Sequence, residues 1–243
     1  TNAADFVLEI YGNANMDEHL DQADLDYIRD IAAGKTEPTK LADANFDGQV
    51  NEQDVEQLQA ILDGREEKLT FIDMLGEPVT VNKPIRRLVN MGYNGVEMTR
   101  ILGAEDILVA YGQDRADHAI FFPKFAELSF VGTDPNDCDY EKIISLKPDA
   151  VQTNIERASY TVGGLDQKRI FEKNLKDIPL ICLNMREQDT LVQNVRTYGY
   201  ILDREEEAEE FIDWYSGYYD LFLSRTASIP EDEKPRCVFE YTP

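Results

Sequence analysis

The stretch RLVNMGYNGVEMTRILGAEDILVAY, Arg87 to Tyr111, contains a complete strand–helix–strand unit. Arg87–Met91 is a short, mostly apolar run, and Ile107–Tyr111 is a second. Between them Val96–Leu102 carries apolar residues at helical spacing, with Gly92 and Gly103 as breaks on either side. Strands this short and this apolar are buried on both faces. Two of them joined through a helix form a parallel pair.

The pattern continues outward from there. Downstream, Phe130–Val131, Ala150–Thr153 and Leu180–Leu183 read as strands, and Tyr140–Leu146, Gln167–Leu175 and Thr190–Leu202 as helices. Upstream, Leu69–Asp73 and Val79–Val81 flank the Leu75-Gly76 turn and read as a hairpin. The expected fold class is α/β, a Rossmann-like parallel sheet with helices on both faces. Arg204–Ser228 reads as a long helix with Ala208, Phe211, Ile212, Tyr215, Tyr219, Phe222 and Leu223 on one apolar stripe. After it, Lys234–Glu240 reads as the first strand of a further lobe, so a second lobe is expected beyond residue 243.

Such sheets bind ligands at the carboxyl ends of their strands. The loops expected there carry Tyr93, Asn94, Tyr111, Arg115, Asn154, Arg157, Tyr160 and Arg186 as candidate ligand-binding residues. A guanidinium pairs with anionic oxygens and a tyrosine ring stacks on a planar ligand, so an anionic chelate is the expected ligand class. No Gly-x-Gly-x-x-Gly, no Gly-Lys-Ser/Thr loop and no nucleophile elbow occurs, and His118 beside Asp114 and Asp117 reads as a surface-loop histidine. No enzyme and no catalytic residue is expected.

The chain has 243 residues and a net charge of −24, of which residues 1–64 hold half, with 15 acidic and 3 basic side chains. That excess of acid repels nucleic acid and anionic lipid. No run of about 18 apolar residues is present to insert in a membrane. The three cysteines match no metal or redox spacing.

The N-terminal acid is organised as a repeat. Asn13–Asp24 and Asp43–Asp54 align with an offset of thirty, each with short oxygen-bearing side chains at positions 1, 3, 5, 9 and 12 and an aliphatic residue, Leu20 or Val50, at position 8. Calcium takes six to eight oxygens, and a tight loop supplies them from alternate positions. The expected donors are Asn13, Asn15, Asp17, Asp21 and Asp24 with the main-chain carbonyl of His19, and Asp43, Asn45, Asp47, Asn51 and Asp54 with that of Gln49. Two calcium ions are expected. The first loop is the poorer one, having a neutral Asn13 first and Glu18 where the second loop has Gly48.

Two such loop–helix units, each closed by Asp, resemble a dockerin domain over about residues 8–64. The resemblance implies calcium on both loops, with Asp21 and Asn51 acting through water, and a cohesin-like protein partner at the helix starts Gln22-Ala23 and Glu52-Gln53. Further on, Phe71–Gly76 with Val79–Val81 and Ile85–Val89, then Leu102–Ile107, Tyr140–Ile143 with Leu146–Val151, and Leu202–Ala208 resemble a class III periplasmic solute-binding protein, of the kind serving iron-siderophore, haem and cobalamin importers. That second resemblance runs from about Leu69 onward. It implies that Arg204–Ser228 is a rigid helix joining two lobes, and that Glu141 contacts an ABC permease.

The expected organisation is therefore a dockerin-like calcium-binding domain at 1–64, an α/β lobe at 65–203, an interlobe helix at 204–230, and the start of a second lobe at 231–243. The expected function is extracytoplasmic binding of an iron-siderophore, haem or corrinoid type of metal chelate for an ABC importer. The alternative is a calcium-dependent surface assembly or adhesion protein in which the module docks a partner and the α/β lobe is a scaffold. The segment Gly64–Lys68 fits either a loose linker or the tail of a docked helix.

Overall fold

Five short strands form one parallel sheet in a computed structural model that describes residues 6–112, 123–155 and 163–236, positions 125 and 126 by backbone only. They are β3 (Leu88–Asn90), β4 (Leu108–Tyr111), β5 (Ser129–Phe130), β6 (Ala150–Thr153) and β7 (Leu180–Cys182), in spatial order β5-β4-β3-β6-β7 with every pairing parallel. The chain steps outward from β3 to β5, then returns to β6 on the other side of β3. The strand order thus reverses between β3 and β6. The β1 (Lys68–Ile72) and β2 (Pro78–Asn82) strands form a separate antiparallel hairpin, whose turn sets Gly76 at φ +80°.

Side-chain alternation along each strand sorts the core into two layers. Leu88, Ala150 and Ile181 face α3 (Tyr93–Ile101) and α6 (Leu191–Leu202), meeting Val96, Met98, Val195 and Tyr198. Val89, Val151 and Cys182 face α4 (Tyr140–Ser145) and α5 (Gly164–Leu175), meeting Ile143, Phe171 and Leu175. Both faces are covered, as the apolar strands require. Each element lies where the sequence pattern places it, with ends shifted by up to three residues. The strand read at Lys234–Glu240 lies mostly outside the described residues.

The N-terminal repeat forms α1 (Gln22–Ala32) and α2 (Glu52–Leu62). Each opens with a reciprocal capping box, Asp21 with Asp24 and Asn51 with Asp54, and each is followed by a glycine at positive φ, Gly34 at +68° and Gly64 at +62°. The helices pack through Leu25, Ile28, Val55 and Leu58.

That packing is continuous with the lobe. Leu8 and Ile10 join the same apolar cluster as Leu69, Phe71 and Val81. Ile10 forms an antiparallel bridge with Phe71, while Tyr11 donates to the Thr70 carbonyl at 2.9 Å and Ile72 to that of Glu9 at 2.8 Å. The joining segment is also anchored. Arg65 N–H donates to the Ala60 carbonyl at 2.8 Å, and buried Glu66 pairs with buried Lys83 at 3.2 Å.

The last helix, α7 (Glu205–Thr226), has 22 residues and is about 33 Å long. It approaches α6 closely at Gly199, where an added Cβ would lie 2.7 Å from that of Ala208. Ala208 and Ile212 are buried there, whereas Trp214, Tyr218, Leu221 and Phe222 further along are exposed. No helix among the described residues is long and apolar enough to cross a membrane.

Candidate functional site

In a parallel sheet each crossover helix begins at the carboxyl end of the strand before it. The starts of α3, α4, α5 and α6 therefore open on one end of this sheet, and the β3/β6 reversal is the crevice of that end. Asn90, Gln152 and Asn154 sit at the crevice floor, covered by Gly92 and Gly95 at the start of α3. A Cβ at Gly92 would come within 2.1 Å of the Asn154 amide nitrogen, and one at Gly95 within 2.1 Å of Gln152 Oε1 and 2.7 Å of Asn90 Oδ1. A side chain at either position would have to displace these amides.

The floor is polar and largely bonded. Gln152 Nε2 donates to the Leu183 carbonyl at 2.9 Å, and Asn194 Nδ2 to the Asn184 carbonyl at 2.7 Å. Asn90 Oδ1 accepts from Gly92 N–H at 3.1 Å. Thr99 Oγ1 donates to the Gly95 carbonyl, so the fully buried Tyr198 hydroxyl, 2.8 Å away, donates to Thr99. Burial raises the Tyr198 hydroxyl far above the ordinary tyrosine range, although its hydrogen bond to Thr99 and the neighbouring Asn90 amide pull the other way. Among the described residues, the buried amide atoms Asn90 Nδ2 and Gln152 Oε1 have no hydrogen-bond partner.

Of the candidate ligand residues, Tyr93 and Asn94 start α3, Tyr111 ends β4 against Phe130 with ring centroids 5.8 Å apart, and Asn154 follows β6. Arg186 lies in the loop after β7, its side chain 59% exposed and 3.5 Å from Glu187. All five are brought to the strand-carboxyl end. Arg115, Arg157 and Tyr160 lie outside the described residues. Glu141 is exposed in the first turn of α4, whose start opens on the same end. The sequence reading missed Asn90 and Gln152. Their only local sign is an amide within an apolar run, Leu88-Val89-Asn90 and Ala150-Val151-Gln152.

The N-terminal loops turn their side-chain oxygens inward over their own backbone. In the second loop Asp43 accepts from Asp47 N–H at 3.0 Å and Gly48 N–H at 2.8 Å, Asn45 accepts from Asp47 N–H at 2.9 Å, and Asp47 from Gln49 N–H at 2.9 Å. The closing Asp54 is fully buried and accepts from Asn45 N–H at 3.1 Å and Asn51 N–H at 2.8 Å. Burial raises its carboxyl above the ordinary range, its two backbone hydrogen bonds oppose this, and Asp43 and Asp47 add repulsion. Asp24 repeats this in the first loop, buried and raised in the same way, with Asp17 and Asp21 as the repelling neighbours.

The loops differ at positions 1 and 6. Asn13 is fully buried and its Nδ2 donates to the Leu8 carbonyl at 2.8 Å and the Asp17 carbonyl at 2.6 Å. Gly48 has φ +92°, whereas Glu18 is not among the residues at positive φ. Among the described residues no group of three His, Cys, Asp or Glu side chains is gathered as a metal site. The donors expected from the sequence are mixed: carboxylates, asparagine amides and the carbonyls of His19 and Gln49. Hard oxygens around a buried, repelled carboxylate suit a hard cation, and the second loop suits it better.

No family model matches the chain, and no curated protein does. Solved structures do. The molybdate periplasmic binding protein MolA of Haemophilus influenzae, solved with molybdate bound, aligns at 16% identity over 68% of this chain and 55% of its own, with TM-score 0.57. An ABC transporter solute-binding protein from Sulfurospirillum deleyianum aligns at 21% identity over 68% and 51%, with TM-score 0.56. The petrobactin-binding protein YclQ of Bacillus subtilis aligns at 18% identity over 61% and 50%, with TM-score 0.50. The chain spans about half the length of the structures it matches. It shares their fold, the parallel α/β lobe with its long helix.

Proposed function

We propose that this chain supplies one lobe of an extracytoplasmic solute-binding component of an ABC importer, and that the solute is an anionic metal chelate of the iron-siderophore, haem or corrinoid type. The observation that carries the proposal is the crevice at the β3/β6 reversal. It gathers Tyr93, Asn94, Tyr111, Asn154 and Arg186 at the end of the sheet where a lobe of this fold meets its ligand. Support comes from the shared fold with proteins described as binding molybdate and petrobactin. The role is binding, not catalysis. In this reading Arg186 pairs with anionic oxygens of the chelate while Tyr93 and Tyr111 offer ring faces. Glu141, exposed at the same end, is the proposed contact for the permease.

The N-terminal module is proposed to bind calcium, through Asp43, Asn45, Asp47, Asn51, Asp54 and the Gln49 carbonyl in the second loop, and through Asn13, Asn15, Asp17, Asp21, Asp24 and the His19 carbonyl in the first. A bound cation would relieve the repulsion around the two buried carboxylates. The domain partition at 64, 203 and 230 belongs to the same reading, as does a cohesin-like partner for the exposed residues Gln22, Ala23, Glu52 and Gln53. The surface-assembly alternative has no such support from the fold.

The test is a fluorescence-quenching titration of the full-length protein, with Trp214 as reporter, against ferric siderophores, haem, corrinoids and molybdate, with and without calcium. Saturable binding of one class, weakened by Arg186→Ala, is the expected result. No binding of any class overturns the proposal.

A further inference from the structure

The two loops of the repeat meet different surroundings, and the difference falls on the segment that flanks the seventh-position carbonyl. In the second loop Gly48 and Gln49 are exposed to solvent. In the first, the residues on both sides of His19 are held by α6. The Arg196 guanidinium donates to the Glu18 carbonyl at 3.3 Å and lies 3.7 Å from the Glu18 carboxylate. Leu20 is buried in the apolar cluster that Val195 and Tyr198 of α6 enter and that Tyr200 packs against.

Arg196 is built in. Its side chain is only 8% exposed, is clamped by both carboxylate oxygens of Glu209 on α7, and has its guanidinium 5.4 Å from the Phe6 ring centroid. The first loop lacks the glycine at position 6 and the carboxylate at position 1 that shape the second. Contacts from α6 stand in their place.

We propose that the lobe completes the first loop, so that a divalent cation in that loop, and not in the second, is linked to the docking of the module on α6 and α7. This rests on the calcium reading given above. Linkage is reciprocal: if α6 must hold Glu18 and Leu20 for the first loop to bind, then binding there holds α6 and the start of α7 in return. A cation bound 178 residues away in sequence would thereby stiffen the helix pair that leads out of the lobe. The physical path is short and continuous: the His19 carbonyl, its neighbour Glu18, then Arg196 on α6, then Glu209. The second loop has no equivalent path, because its position-6 and position-7 residues face solvent.

The experiment is hydrogen exchange and calorimetry on the whole chain, with calcium added or removed by chelator, for the native protein, Asp24→Asn, Asp54→Asn and Arg196→Gln. Calcium is expected to slow amide exchange across residues 191–212 by about tenfold in the native protein and in Asp54→Asn, but not in Asp24→Asn. Arg196→Gln is expected to weaken the first-loop affinity by about tenfold and to leave the second-loop affinity unchanged. Calcium binding in the first loop with exchange in 191–212 unaltered overturns the proposal and leaves the calcium reading standing. Absence of calcium binding in both loops overturns both. Should Arg196→Gln fail to fold, the exchange data on the native protein, Asp24→Asn and Asp54→Asn decide.

Discussion

The ammonium of Lys168 lies 2.8 Å from the carboxylate of Asp73, and both side chains are sealed from water, at 3% and 0% exposure. Ninety-five residues separate them in sequence. Lys168 also reaches Glu77 at 3.0 Å, so α5 is pinned to the turn of the β1–β2 hairpin. Asp73 in turn accepts from Leu75 N–H at 2.9 Å and Glu77 N–H at 3.1 Å, which shapes that turn.

Lys168→Met leaves a buried carboxylate without its cation and is expected to cost on the order of 3 kcal/mol in denaturant unfolding. Lys168→Met combined with Asp73→Asn should cost less than Lys168→Met alone, because the amide oxygen still accepts the turn N–H groups and no charge stays buried. Burial opposes the Lys168 charge, but the hydrogen bonds to Asp73 and Glu77 and the charge of Asp73 outweigh it and raise the ammonium above the ordinary lysine range. A raised cation contributes fully below the unfolded value and loses its contribution as pH climbs through the folded one. The gap between native protein and Lys168→Met is therefore flat from about pH 6 to 9 and narrows only above about pH 10.5.

Two glycines on helices give opposite expectations. Gly95→Ala drives a methyl group into the Gln152 and Asn90 amides at 2.1 and 2.7 Å and should destabilise the lobe by about 1–3 kcal/mol. Gly217→Ala on α7 meets nothing within 4 Å and should stabilise by about 0.5–1 kcal/mol. Thermal melts of the two variants side by side check both signs.

If calcium fills the loops, a chelator lowers the melting temperature of the whole chain in one transition, because Leu8, Ile10 and Phe71 belong to one apolar cluster. At a free ion concentration about 100-fold above Kd the stabilisation is about 2.7 kcal/mol for each ion bound. Calorimetry of Asp54→Ala should show a larger loss of calcium affinity than Asp24→Ala, since the second loop has the better donors. Two independent transitions, or the reverse order of losses, would contradict this.

Cys138 and Cys182 are poor nucleophiles as folded. Burial, followed by repulsion from Asp137 and Asp134, pushes the Cys138 thiol up to about 12, and burial raises fully buried Cys182 well above the ordinary thiol. The thiolate is the reactive form. Peptide mass spectrometry after alkylation at pH 8 should find both unmodified in the native protein and both modified in denaturant.

Much of this architecture was readable locally. Ala150–Thr153 is a strand at the bounds its apolar run sets between Pro148-Asp149 and Asn154. The repeat at Asn13–Asp24 and Asp43–Asp54 gives two matching capping boxes, because its spacing fixes loop and helix start together. The stripe on α7 was legible as a helix, but not the uncovering of its far end, where Phe222 is 64% accessible. Helical spacing says which side chains share a face, not whether anything covers it. Asn90 and Gln152 escaped notice because an amide inside an apolar strand carries no local mark of what it will pack beneath.

The sequence by itself determined the order and type of the elements, the paired oxygen-rich loops and the chemical character of the crevice residues. These depend on side-chain period, turn residues and capping, all of which act within a few positions of the chain. The tertiary structure decided that Lys168 is buried against Asp73, that Gly92 and Gly95 lie over the crevice amides, and that the first loop is gripped by Arg196. Such contacts join residues far apart in the chain. Burial and ion pairing are set by whichever surfaces the packed core brings together, and no local pattern encodes that meeting.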